Sequence, residues 1–444
     1  MKSVSFEAGL VTLTMGAETL NTTLSKYFES FFCARTHLHP EWRCRNPQAP
    51  PVTGYIMRLL TLVAFLSATL AYGYGLWSPA GERLQARLSL TAKTQKQVTT
   101  KNRTNKSKRP HPMKRIDPVL ETQLEQMMAS YDLPYGAVAI IDVHSGRTLA
   151  AAGHSKREPA KSSDMAFMPR FPSASVFKVP SAAALLEADT FNPKQCVKYR
   201  GGRRRIHPGL LKPRRGEGRC ANLERMVSKS VNVALARSIF GHVDRDQLVD
   251  VSRRFGFEKT FPGLERFGVS QFDLPYERKQ MAIRSAGFGD HRISAYHAAA
   301  SMAMIARGGN WGNLAPKGVK SQALKPSVAR RLAKLMEATT VTGTARKRFH
   351  PRKRGMRNLR SAGKTGSLIV DGLDHSWFVG FAPAEDPQIA FAAIVVNDIK
   401  ELWHIRALDL AQAAVKASLF GVTPPRANSL VALTKTTKGR NRRR

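Results

Sequence analysis

Phe171–Glu187, FPSASVFKVPSAAALLE, runs from a loop of small polar residues straight into an apolar helical pattern. Ser175 stands at its mouth with Lys178 three residues on, a spacing that stacks both on one helix face with the hydroxyl within reach of the amine. A serine hydroxyl keeps its proton at neutral pH, so attack on a carbonyl needs a neighbour that removes it. A partly desolvated lysine is neutral enough to do so. The helix start adds backbone N–H groups without intrahelical partners, which can hold a developing oxyanion. The pair alone does not define a site: Ser361 and Lys364 repeat the spacing, and residues so placed usually cap a helix or face solvent.

Downstream, residues 223–240 (LERMVSKSVNVALARSIF) form a helix-rich segment with Leu223, Met226, Val227, Val231 and Leu235 in its apolar rhythm. Ser230, Val231 and Asn232 fall in or beside it; short polar residues there usually make caps or turns. Ser361–Val370, SAGKTGSLIV, is predicted as a strand with a small middle, beside which a substrate backbone can pair while Lys364 projects a cation. Asp371 and Gly372 supply a hairpin turn, His375–Ala382 returns, Gln388–Asn397 is another strand, and Leu402–Leu419 closes as a helix. Nearer the N-terminus, a helix over Leu120–Tyr131 precedes a hairpin of Gly136–Val143 and Thr148–Ala152. Between lie a glycine loop and helix over Ala286–Gly309, stopped by paired glycines, and a helix starting near Pro326 and followed by VTGTA at 341–345. The predicted fold class is α/β in the α+β sense: an antiparallel sheet of about five strands, two early and three late, packed by helices.

With 444 residues, 42% hydrophobic and 23% charged, the chain is globular. Its net charge of +39 is concentrated in runs outside the apolar periodicity: Lys93–Arg115, Arg203–Arg215, Arg346–Arg360 and Lys435–Arg444. These runs carry few aromatics to stack bases and no nucleic-acid motif, so they read as solvated, facing anionic lipid or cell-wall polymer rather than nucleic acid.

Residues 1–55 show no period or motif apart from Cys33 and Cys44 and receive no function. Residues 56–77 include the apolar run Leu59–Trp77, predicted to cross a bilayer as one helix with Tyr72, Tyr74 and Trp77 at its far end. If Met57 is the true start, this run is an N-terminal signal anchor or a cleaved signal peptide. Arg43, Arg45 and Arg58 on one side are matched by Arg83, Arg87, Lys93 and Lys96 on the other, so flanking charge does not orient it. Residues 78–116 read as a basic flexible linker, 117–422 as the globular domain and 423–444 as a basic tail. Cys196 and Cys220 bracket a basic, Gly-rich loop; a disulfide between them is expected if the domain lies outside the cytoplasm, and two buried thiols otherwise.

Taken in order, Ser175–Lys178, Ser230–Asn232 and Lys364–Gly366 spell Ser-x-x-Lys, Ser-x-Asn and Lys-Thr-Gly. Over about Leu120–Gly421 the chain resembles the penicillin-binding transpeptidases and serine β-lactamases. AVAIIDVHSGRTLA (137–150) resembles the family's first hairpin, and the segment 286–309 its glycine loop and following helix.

The resemblance implies a D,D-transpeptidase or D-Ala-D-Ala carboxypeptidase working through a serine acyl-enzyme, without cofactor or metal. Ser175 would attack the D-Ala-D-Ala carbonyl with Lys178 as base, and Ser230 would relay a proton to the leaving amine. Asn232 would hold the acyl side chain's amide, and Lys364 would tune Ser230. Thr365, Gly366 and Ser367 would form the substrate strand, with the hydroxyls of Thr365 and Ser367 on the terminal carboxylate. The N–H groups of Ser175 and Ser367 would form the oxyanion hole. Implied partners are peptidoglycan stem peptides, β-lactam antibiotics, the cell membrane, and proteins of cell-wall synthesis or division. The implied location is the bacterial cytoplasmic membrane, single-pass, with the catalytic domain outside the cytoplasm. Val231 stands where many relatives carry Asp, at a variable position. No glycosyltransferase region is read upstream, so the chain is expected to be monofunctional. The alternatives are a serine β-lactamase, weakened because no Glu-x-x-Leu-Asn loop is found, and a non-catalytic penicillin-binding sensor on the same fold.

Overall fold

Asp117 caps the first helix, α1 (Pro118–Ser130), by accepting the Leu120 N–H at 2.8 Å, and Pro118 fills a first-turn position that needs no N–H. It opens the part of the chain that the computed structural model describes, residues 117–202, 205–401 and 405–427. The extension 1–55, apolar run 56–77, linker 78–116 and the tail from 428 lie outside the described residues. Among the described residues no helix is long and apolar enough to cross a membrane.

The chain then forms β1 (Tyr135–Asp142), β2 (Thr148–His154), the short β3 (Phe171–Pro172), α2 (Lys178–Glu187), and the short pair β4 (Val197–Tyr199) and β5 (Arg219–Ala221). Helices α3 (Leu223–Ser228), α4 (Asn232–His242), α5 (Arg245–Arg254) and α6 (Arg278–Ile283) follow. After β6 (Arg292–Ile293) come α7 (Ala295–Ala306), α8 (Pro326–Val341) and α9 (Arg346–Phe349). The chain closes with β7 (Ala362–Val370), β8 (Leu373–Ala382), β9 (Ile389–Asp398) and α10 (Ala407–Phe420). Five strands make one sheet in the order β2-β1-β9-β8-β7, every neighbour antiparallel. As expected from the sequence, two come from the start of the domain and three from its end.

Both faces of this sheet are covered, and strand periodicity sorts the side chains between them. Ala137, Ala139 and Ile141 of β1, with Ala392 and Ile394 of β9, face a core shared with α2 and with α7, which is buried from Ala295 to Ile305. Val138 and Ile140, with Phe391, Ala393 and Val395, face a second core under α1 and α10. Two buried faces explain why β1 and β9 read as unbroken apolar runs. The closing helix starts at Ala407, with the Arg406 N–H held by the Asp409 carboxylate at 2.9 Å, while the start read at Leu402 lies outside the described residues; it stops at Gly421, whose φ of +64° suits a glycine.

Two of the basic runs are not simply solvated. In 346–360, Phe349, Met356 and Leu359 insert into the second core, and around 206–211 Ile206 and Leu211 are buried in the first. Dense charge conceals these widely spaced anchors in the sequence. The 196–220 loop is closed by a Cys196–Cys220 disulfide with Cα atoms 5.4 Å apart. It is also pinned by buried Arg237 of α4, which donates to both carboxylate oxygens of Glu217 (2.5 and 2.8 Å). The same guanidinium donates to the carbonyls of Lys198, Leu210 and Lys212.

Candidate active site

Ser175 belongs to a 3₁₀ turn, Ala174–Phe177, that feeds α2, not to the α-helix itself. Ala174 is held at φ +48°, which for a residue with a side chain needs support from its surroundings. That support is local and specific. The Ser173 N–H donates to His291 O at 2.7 Å, Trp377 Nε1 donates to Pro172 O at 2.8 Å, and the Phe177 ring stacks on the His291 imidazole with centroids 3.8 Å apart. Nδ1 of His291 accepts the Asp273 N–H, so its Nε2 carries the hydrogen and donates to Arg284 O. Burial lowers this histidine to about 4, leaving it neutral as a packing piece.

The one-turn offset read in the sequence brings the Lys178 amine to Ser175 Oγ at 2.8 Å. The same nitrogen donates to Asn232 Oδ1 at 2.7 Å and to Ala286 O at 2.5 Å. Lys178 is fully buried, with no carboxylate among these partners. Desolvation pushes its pKa well below the usual lysine range, and the charge of Lys364 pushes it the same way. Such an amine can take a proton from the serine it touches.

Ser230 reaches the site through the end of α3. The Ser230 N–H bonds Val227 O and the Val231 N–H bonds Met226 O, the two reversed bonds of a Schellman cap. The cap puts Ser230 at φ +55°, and the chain turns at once into α4, which begins at Asn232. Val231 packs against the first core, so the triplet is an elbow with two polar side chains out and one apolar side chain in. Asn232 Nδ2 donates to Gly202 O at 3.1 Å, joining the disulfide-closed loop to the site.

The third segment is β7, at the sheet's edge, where Lys364 lies opposite Val379 and Gly366 opposite Trp377. The fully buried Lys364 amine donates to Ser230 Oγ at 3.0 Å and to Thr365 O at 2.7 Å, and desolvation lowers its pKa to about 7. A Cβ at Gly366 would stand 3.2 Å from Ser173 O and 3.3 Å from Val176 Cγ2, so the small residue lets the strand lie against the Ser175 turn. Ser175, Lys178 and Asn232 thus form one hydrogen-bonded group, Ser230 and Lys364 another, and the field of Lys364 acting on Lys178 couples them. Ser367 differs from expectation: its exposed hydroxyl donates to Asp374 Oδ1 at 3.0 Å, across the β7–β8 hairpin, so a substrate carboxylate would have to take over that proton.

Four contributors were not identified from the sequence. Thr344 of the VTGTA segment shares a 2.6 Å hydrogen bond with Thr365 Oγ1, and its N–H donates to Ser228 O, tying this segment to the α3 elbow. The carbonyls of Ala286 and Gly202 are backbone groups, which leave no trace in residue type. Gly287 has φ +94°, and a Cβ there would stand 2.1 Å from Ala174 O. The only sequence signal for it was its place in a glycine loop. Gly287→Ala is expected to displace the Ser175 turn and slow acylation by roughly 10²-fold, with a stability loss of about 1–3 kcal/mol. Labelling rates and chemical denaturation together check it; a rate within twofold of the parent would mean that the turn does not depend on this close approach.

Residues 136–414 match the family model described as the penicillin binding protein transpeptidase domain. Among solved structures, the chain is similar to PBPA from Mycobacterium tuberculosis, with 20% identity, TM-score 0.52, and 68% of this chain and 81% of that one covered. It is also similar to the D,D-transpeptidase domain of a peptidoglycan glycosyltransferase from Eggerthella lenta, with 20% identity, TM-score 0.51, and coverage of 67% and 81%. Penicillin-binding protein A of M. tuberculosis in an imipenem acyl-enzyme complex gives 21% identity, TM-score 0.50, and coverage of 68% and 78%. At these identities the likeness is one of fold. Comparison with curated proteins gives no match.

Proposed function

Because the chain belongs to the penicillin-binding protein transpeptidase domain family, we propose that it is a D,D-transpeptidase that acts on peptidoglycan stem peptides through an acyl-enzyme on Ser175. The observation that carries this reading is the buried, pKa-depressed Lys178 amine 2.8 Å from Ser175 Oγ, close enough to the Lys364–Ser230 pair to feel the charge of Lys364. Lys178 takes the serine proton as Oγ adds to the penultimate D-Ala carbonyl. The oxyanion faces the N–H groups of Ser175 and Ser367. Ser230, oriented by Lys364, returns a proton to the leaving D-Ala nitrogen. Thr365, with Thr344 behind it, receives the terminal carboxylate, and Asn232 holds the acyl side chain. The apolar run 56–77 anchors the chain in the cytoplasmic membrane with this domain outside.

A β-lactam presents the same carbonyl and acylates the same serine, as the imipenem complex of the M. tuberculosis protein illustrates for that protein. Among the described residues Lys178 bonds Asn232 Oδ1 and Ala286 O besides Ser175 and no carboxylate, and the acyl-enzyme is expected to be long-lived. Intact-protein mass spectrometry after penicillin treatment is expected to show one long-lived adduct, mapped to the Ser175 peptide. Absence of an adduct overturns the acyl-enzyme reading, and an adduct that disappears within seconds would make the chain a β-lactamase.

A further inference from the structure

Three hydroxyls stand on or against the first half of β7: those of Thr365 and Ser367 on the strand itself, and that of Thr344 from the segment after α8. The family resemblance puts a substrate's terminal carboxylate on the first two. The hydrogen bonds of this chain favour a different pair.

A serine hydroxyl has one hydrogen to give, and that of Ser367 goes to Asp374 Oδ1 at 3.0 Å. Asp374 is 2% exposed; its other oxygen has no hydrogen bond among the described residues, with the Arg406 guanidinium 3.5 Å away. Turning the Ser367 hydrogen toward a ligand would strip this buried carboxylate of its hydrogen bond, so the exchange yields no net binding.

Thr344 and Thr365 are placed differently. Their Oγ1 atoms share one hydrogen bond at 2.6 Å, which uses one of two hydroxyl hydrogens and leaves the other for a ligand. Thr344 is exposed and Thr365 half-buried. The Thr344 backbone is fixed on both sides: its N–H donates to Ser228 O at 3.0 Å, and the Ala345 N–H donates to Thr339 O at 3.0 Å. Just before it, a Cβ at Gly343 would stand 2.3 Å from Ser228 O, so the segment lies directly on the α3 elbow. A hydroxyl held this way meets a ligand without first ordering a loop.

We propose that Thr344 is a second direct donor to the substrate's terminal carboxylate, paired with Thr365, and that Asp374 withholds the Ser367 hydroxyl from that task. The proposal rests on the acyl-transfer reading and assigns the residues that select a free C-terminal carboxylate in this chain.

A penicillin and its methyl ester compare a free carboxylate with a blocked one, and intact-protein mass spectrometry on the full chain in detergent follows acylation by each. Thr344→Val is expected to lower the acid's acylation rate constant roughly tenfold and the ester's by less than about twofold. Thr344→Ser, which keeps the hydroxyl, should keep the preference for the acid. Ser367→Ala, which keeps the backbone N–H, should cost the acid severalfold less than Thr344→Val does. With Asp374→Ala the Ser367 hydroxyl is released, and removing it should then cost the acid at least about threefold more than in the parent. If Asp374→Ala does not fold, the ranking of Thr344→Val over Ser367→Ala still decides. Equal losses on acid and ester in Thr344→Val, the mark of a merely structural role, overturn the proposal. So does a larger loss of preference in Ser367→Ala than in Thr344→Val. Should the parent form no adduct, it is the acyl-enzyme reading that fails; equilibrium binding of an N-acylated D-Ala-D-Ala peptide against its C-terminal amide then compares the same two variants, and the same ranking is required.

Discussion

Lys178→Met is expected to slow penicillin acylation of Ser175 by about 10²- to 10⁴-fold, the range that a positioned general base supplies. Methionine fills a similar volume without charge, so the fold should persist. The loss should come with a change in pH dependence. The base must be unprotonated, so the parent rate rises with pH through the depressed pKa of Lys178. Lys364 acts as a cation, so its contribution falls as pH rises through about 7. The parent profile is therefore a bell, highest between these two ionisations; Lys178→Met should lose the rising limb, and Lys364→Arg, which keeps its charge, should lose the falling one. Rates of fluorescent penicillin labelling between about pH 5 and 9 decide it. A methionine variant within threefold of the parent, or a flat parent profile, would remove Lys178 from the role of base.

Arg237→Met carries the largest expected stability loss, about 3 kcal/mol, because it leaves the buried Glu217 carboxylate with the longer Arg200 contact, 3.4 Å, as its only ion pair among the described residues, while three carbonyls lose their donor. Replacing both partners, Arg237→Met with Glu217→Leu, should restore part of it, since the weakly paired buried carboxylate is then gone. Denaturant unfolding with the disulfide intact reads both variants. A loss below about 1 kcal/mol for Arg237→Met would show that the loop relaxes and lets water replace the guanidinium. Should the loop come away from α4, the Gly202 carbonyl would leave Asn232, so the single variant is also expected to acylate more slowly.

The sheet was readable because β1 and β9 carry apolar runs, β7 has a small middle and an apolar end, and turn residues join β1 to β2 and β7 to β8. The Ser175–Lys178 contact was readable because its spacing is local. What could not be read depends on groups that residue type does not encode. The left-handed Ser230 comes from a helix cap completed by backbone bonds to Val227 and Met226. The clamp on Lys178 includes the carbonyl of Ala286, brought close by tertiary packing. Ser367 was assigned to substrate from its place beside Lys-Thr-Gly, but hairpin pairing also brings Asp374 within reach of its hydroxyl. In the 346–360 run, three apolar anchors are outnumbered by arginine and lysine and interrupted by Pro351 and Gly355, so a folded surface looked like a solvated one.

Lys364 lies on a strand with a neighbour on one side only among the described residues. An incoming peptide in extended form can therefore be zipped on as a sixth strand, its main chain read by main chain, before any reacting atom is engaged. Compounds that mimic a backbone along that rim would gain residence time from a ladder of amides, a grip that a compact bicyclic drug lacks. Resistance to such peptidomimetics would then have to arise through bulges or prolines that deform the border of the sheet, where the protein's own reaction would suffer as well.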